Sequence, residues 1–196
     1  ADLATETTHW KHRYPMVSYL VCLAVTNYQE FNNSVRLGTI DLPMQTFCYP
    51  ESFDLFKNNT QSTLDAMQFF HYAFGEYPFI KEKYGHTQFS WGGGEEHQTN
   101  SFVINPGASL CAHELAHQWF GDKVTCGTWE DIWLNEGFAT HLASMFMESR
   151  YPDSAIVWRK REIESITSNP SGSVKVDDTT SVNRIFSSRL SYTKGS

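Results

Sequence analysis

Apolar and polar positions change their period along this chain, and the changes outline its elements. Residues 16–25 (Met-Val-Ser-Tyr-Leu-Val-Cys-Leu-Ala-Val) form a short β-branched, apolar run, which predicts a buried strand. The stretch from residue 1 to about 30 reads as extended throughout. From Ser34 to Tyr49, Val35, Leu37 and Thr39 alternate with Arg36 and Gly38 until Pro50 closes the pattern, again strand-like. The period then lengthens. Asn58-Asn59-Thr60 offers an N-cap for a helix over about residues 61–74, ended by Gly75. Residues 84–91 return to strand style and run into Gly92-Gly93-Gly94, where absent side chains permit close backbone approach. Helices are predicted over residues 109–120, 129–147 and 154–165, and residues 169–173 form a loop.

Composition narrows the picture. With 196 residues there is room for one sizeable domain and part of another. A net charge of −7 argues against nucleic acid as a partner, because phosphate contacts need Lys and Arg. The apolar run at 16–25 is too short to span a membrane and lacks a signal peptide's cleavage pattern. The chain is therefore expected to be soluble, with its compartment left open. Cys22, Cys48, Cys111 and Cys126 form no CxxC pair. Their spacing fixes no disulfide, and buried free thiols are the expectation.

The chemistry concentrates in His113-Glu114-Leu115-Ala116-His117. Residues four apart share a helix face, so the two imidazoles can grip one metal ion. Glu136, in Trp133-Leu134-Asn135-Glu136-Gly137, follows His117 after 18 intervening residues. Two His and one Glu suit a tetrahedral zinc whose fourth position stays open for water. Glu114, beside a ligand, is placed to take that water's proton. His141 lies five residues beyond Glu136, about 140° round the helix, and reads as structural. His97, next to the glycine triplet, is a candidate for the cleft wall.

At this level of detail the chain resembles the gluzincin zinc aminopeptidases, the group of membrane alanyl aminopeptidase and leukotriene A4 hydrolase. The likeness rests on residues 113–122 (His-Glu-Leu-Ala-His-Gln-Trp-Phe-Gly-Asp) and 133–139 (Trp-Leu-Asn-Glu-Gly-Phe-Ala), with the spacing between them. It implies an α+β fold. Residues 31–196 would be a thermolysin-like catalytic domain with a mixed sheet plus helices, and residues 1–30 the tail of an N-terminal β domain. It implies one zinc ion per chain on His113, His117 and Glu136, with Glu114 as the base.

The family's Gly-x-Met-Glu-Asn loop corresponds here to Gly93-Gly94-Glu95-Glu96-His97-Gln98-Thr99. By that likeness Glu96 binds the substrate's free α-amine, and the Gly93–Gly94 backbone lines the peptide. Glu95 stands where the family usually has Met. Its carboxylate either favours basic N-terminal residues or turns outward without effect, and the outward orientation is expected. Residues 188–195 resemble the segment that carries a catalytic tyrosine, which makes Tyr192 the oxyanion stabiliser. The implied activity is removal of N-terminal residues from peptides with a free N-terminus. The alternatives are a zinc endopeptidase, an epoxide hydrolase on the same site, or a folded fragment without catalysis. The family's N-terminal β domain and C-terminal helical domain complete its cleft, so this chain is expected to be a truncated piece with weak or no activity alone.

Overall fold

The computed structural model describes residues 7–196; the first six residues of the expected β-domain tail lie outside the described residues. One mixed five-stranded sheet has the order β1-β2-β3-β5-β4. Strands β1 (Gln29–Leu37) and β2 (Ile40–Cys48) pair antiparallel, with Leu37 opposite Ile40. The alternation at 34–49 is therefore not one strand but a hairpin. Gly38 takes a positive φ of 60° and reverses the chain in a two-residue loop, the place where glycine is favoured at a hairpin's first central position.

Helix α1 (Phe53–Phe74) then crosses over to β3 (Tyr84–Gln88), which lies parallel to β2. The helix starts two turns earlier than its Asn-rich segment suggests, because buried Phe56 anchors the first turns. Asn59 donates from its side chain to the Leu55 carbonyl instead of capping. All five residues of β3 are buried, as a central strand requires. Gly85 is needed there, since a Cβ would collide with the Gln45 backbone. Strand β5 (Ser101–Val103) continues in parallel, and the two-residue β4 (Gly94–Glu95) pairs antiparallel with it at the edge.

Helices α2 (Ala108–Ala116) and α3 (Trp133–Arg150) pack together against α1 and the sheet. Ala112, Ala116, Ala139 and Ala143 lie in one core with Phe70, Trp119 and Phe146. Small side chains at that seam let the two helix axes come close. Helix α4 (Pro152–Thr167) buries none of its residues. The chain then returns through α5 (Val182–Ile185) to a π-helical turn at Ser188–Thr193, and neither element had been read from sequence. The mixed sheet with helices on it agrees with the α+β expectation.

The apolar run at 16–25 is not a strand. Ser18–Leu20 forms a single 3-10 turn, and of the run's side chains only Leu20 is buried. Val21, Leu23 and Val25 are 68%, 81% and 85% exposed. A strand needs a neighbour for its backbone groups, and none of the described strands pairs with this segment. All four cysteines are free. Cys48 and Cys111 are buried as expected, but Cys22 is exposed and Cys126 half-buried.

His86 on β3 is buried, and burial pushes its pKa down to about 4. The unfolded chain, with an ordinary imidazole pKa, therefore binds more protons than the folded one between about pH 6.5 and 4. The stability tied to neutral His86 is complete above that window and falls as pH drops through it, by up to roughly 3 kcal/mol. Urea midpoints taken across pH 7 to 4 should decline, and His86→Gln should decline less steeply. Parallel slopes would contradict this assignment.

Candidate active site

Helix α2 carries His113 and Glu114, His117 caps its end, and the first turn of α3 carries Glu136. The seam between the helices brings three donor atoms together. His113 Nε2 and His117 Nε2 are each 3.2 Å from Glu136 Oε2 and 3.1 Å from one another. His117 Nδ1 lies 3.0 Å from the Phe120 carbonyl. Donation to that carbonyl leaves Nε2 as a bare lone pair in the neutral ring. Gly121, at φ 137°, keeps this turn tight, since a Cβ would sit 2.8 Å from His117 Nδ1. Lone pairs this close repel unless a cation or shared proton lies among them. Zinc fits the set: bonds of about 2.0–2.1 Å in a tetrahedron separate ligands by roughly 3.3 Å.

The electrostatics follow from burial. Burial opposes charge on His117, yet the carboxylates of Glu96, Glu136 and Glu114 overcome it and raise its pKa well above the usual value. His113 moves down, with burial outweighing its hydrogen bond to Glu136. Burial alone would raise Glu136, but His117 and the hydrogen bonds from both rings hold it below the usual carboxylate range. Glu114 is raised well above that range by burial and by the neighbouring carboxylates, with His117 opposing. Asp122 is buried with both carboxylate oxygens unpartnered, and burial and Glu96 drive its pKa up. The neutral form is the cheaper state for a buried unpaired acid.

A cavity of about 400 Å³ opens in front of these groups. Gly94, Glu95, Glu96, His113, Glu114, His117, Glu136 and Tyr192 all line it. Gly94 must be glycine, because a Cβ would run into the Glu114 side chain, 2.7 Å from its Cγ. Gly93 is not in the wall, and its carbonyl is taken by the Ile104 N–H at 3.1 Å. The expected outward turn of Glu95 is not what the structure has. Its carboxylate is half-buried in the cavity wall, and burial with Glu96 and Glu136 pushes its pKa up to about 7. His97 does not line the cavity; its Nδ1 meets the Leu20 carbonyl at 3.0 Å.

Tyr192 stacks on His113, ring centroids 5.9 Å apart and planes 21° apart. Two glycines bring it there. A Cβ on Gly137 would lie 2.5 Å from the Gly195 carbonyl, so the π-helical turn can dock on α3 only where both residues lack side chains. Burial and the Glu136 carboxylate raise the Tyr192 hydroxyl well above its usual pKa, so it stays a hydrogen-bond donor.

Several site residues were not singled out from sequence. Tyr19, Trp129, Ile132 and Phe186 also line the cavity. Tyr19 Oη donates to Glu96 Oε1 at 3.1 Å and accepts from Asn135 Nδ2 at 3.2 Å. Asn135 Oδ1 in turn accepts the Cys126 N–H at 3.0 Å. The leading segment thus reaches into the site through its 3-10 turn, and its apolar surroundings concealed the contact of Tyr19 with Glu96. Gln118, fully buried beside His117, accepts from the Thr99 N–H at 2.8 Å and donates to the Glu96 carbonyl at 3.4 Å. Thr99 has a φ of 67°, the one non-glycine positive φ among the described residues. That strained turn aims Glu96 at the cavity.

Known proteins share this arrangement of elements. The M1 zinc metallopeptidase of Deinococcus radiodurans superposes with a TM-score of 0.66 at 24% identity, covering 86% of this chain and 38% of that one, a likeness of fold. Glutamyl aminopeptidase of Sus scrofa is 34% identical over an alignment 158 positions long that covers 71% of this chain and 16% of that protein. The alanine/arginine aminopeptidase of Saccharomyces cerevisiae is 31% identical over an alignment 211 positions long, gaps included, that covers 92% of this chain and 24% of that protein. The chain thus spans less than a quarter of the length of these two curated relatives. The Peptidase family M1 domain matches residues 95–196. That match takes in α2, α3 and the turn bearing Tyr192, more than half of the residues, and the chain accordingly belongs to Peptidase family M1.

Proposed function

We propose that this chain carries the catalytic centre of a zinc aminopeptidase that removes N-terminal residues from peptides. One observation carries the reading: a three-donor metal cradle, a buried Glu114 and a buried Glu96 all face one cavity. One zinc ion per chain would sit on His113, His117 and Glu136. When bound it lowers the pKa of a water to about 7 and polarises the carbonyl to be cleaved.

The chain's own groups do the rest. Glu114 takes the proton of the attacking water and later delivers one to the leaving amine. Its burial raises its pKa, which makes the carboxylate a stronger proton acceptor. Tyr192 donates a hydrogen bond to the oxygen that becomes negative. Glu96 pairs with the substrate's α-ammonium and so fixes cleavage one residue from the N-terminus. Tyr19 holds one oxygen of Glu96 in place. Strand β4 is the sheet edge, and its Gly94 backbone receives the peptide as an added strand; Gly93 shapes the turn that leads into it. The endopeptidase alternative needs no amine anchor, and a buried carboxylate oriented by a tyrosine favours the exopeptidase.

In this reading residues 31–196 are the catalytic domain and residues 1–30 end a preceding β domain, with further domains completing the cleft. Strand β1 crosses that boundary, and Tyr19 makes the leading segment part of the site. No helix among the described residues is long and apolar enough to cross a membrane.

Turnover of alanyl-anilide, with zinc content measured on the same samples, tests the assignment. Chelation should abolish turnover and added zinc restore it. Glu114→Gln should keep its zinc and lose about 10²–10⁴ in kcat. Glu96→Ala should keep zinc and lose aminoacyl turnover, and an unchanged rate would sink the exopeptidase reading. Tyr19→Phe should raise KM several-fold more than it lowers kcat, because it loosens an anchor and leaves the reacting groups intact.

A further inference from the structure

Four carboxylates share the cavity: Glu95, Glu96, Glu114 and Glu136. No Lys or Arg lines it. The basic side chains of the adjoining turn are committed elsewhere. Arg184 pairs with Asp177 at 2.6 Å, Arg189 donates to the Asn169 carbonyl at 2.7 Å, and Lys194 Nζ donates to the Gly172 carbonyl at 2.7 Å. Glu95 itself takes part in none of the ion pairs among the described residues.

Three of the four have a role in the aminopeptidase reading: Glu136 belongs to the metal cradle, Glu114 exchanges protons with water, and Glu96 pairs with the α-ammonium. The remaining group is Glu95, on the same edge strand as Gly94 and one residue before the amine anchor. A half-buried carboxylate with no partner attracts a cation and repels an anion, and such repulsion is an effective source of specificity.

We propose that the cleft selects peptides whose N-terminal residue is basic, Lys or Arg, over those with an acidic one, and that Glu95 receives the side-chain cation. The proposal rests on the aminopeptidase reading and departs from the substrate in the name of the glutamyl relative.

The test compares arginyl-, alanyl- and glutamyl-anilides on the zinc-loaded chain, alongside calorimetric binding of free L-arginine and L-glutamate. The expected kcat/KM for the arginyl substrate exceeds that for the glutamyl one by about tenfold or more, and L-arginine binds more tightly than L-glutamate. In Glu95→Gln the ratio should fall by about tenfold, with glutamyl turnover rising in absolute terms, a gain that a misfolded variant cannot give. Glutamyl turnover equal to arginyl, or a ratio unmoved by Glu95→Gln, would overturn the proposal. Absence of turnover on all three substrates is the outcome expected of a cleft that lacks its further domains, and the calorimetric comparison then decides the charge preference: L-glutamate bound as tightly as L-arginine would overturn the proposal.

Discussion

The seam between α2 and α3 is the constraint on which the rest of the molecule depends. It sets two imidazoles and a carboxylate within 3.2 Å of one another, with His117 and Glu136 buried. Charges removed from water must be paired, or they shift their pKa until they are neutral. The site does both. Glu136 stays ionised against the two rings, while Asp122 and Glu114 are pushed toward the neutral form. The alanines of the seam give the site its dimensions, and the aromatic core behind them, Phe70, Trp119 and Phe146, keeps the helices from sliding.

A second layer of organisation depends on Gln118. Its side chain ties the positive-φ turn at Thr99 to α2, so the strand edge bearing Glu95 and Glu96 is held in register with the histidines. The leading segment is fastened to the same loop by four contacts: Gln98 to the Pro15 carbonyl and to His12 Nε2, His97 to the Leu20 carbonyl, and Tyr19 to Glu96. The loop is thereby held from both sides by polar contacts, and Glu96, which it carries, keeps a fixed position without a core of its own.

The sequence exposed what is local and concealed what is long-range. The clustering of His113, His117 and Glu136 was legible because i and i+4 on a helix are neighbours by geometry, and the aromatic context of Glu136 marked it as part of the same unit. Helices with buried faces were legible from their period, though α1 was placed late because the pull of Phe56 on the core outweighed an apparent cap. The hairpin at Gly38 was missed because alternation continues through its turn. The strand expected at 16–25 failed because apolar alternation says nothing about whether a neighbouring strand is there to receive it. Tyr19 and Gln118 act across 77 and 19 residues of chain respectively, and no local pattern announces such contacts. Glu95 was read as facing out because its neighbours alone do not show which side of a two-residue strand is the cavity.

The contact of Gly137 with Gly195 divides the site by distance along the chain. The donor cradle and Glu114 come from two consecutive helices packed on each other, a short-range assembly in chain terms. Tyr192 arrives from a turn that follows a long excursion through α4 and the loop beyond it, and it docks only through two residues without side chains. Loop closure of that kind comes late in folding, since its entropy is lost before its contacts are gained. The three-donor cluster therefore needs only the contacts of α2 with α3, whereas the position of Tyr192 against His113 depends on closing the long span of chain between α3 and its turn.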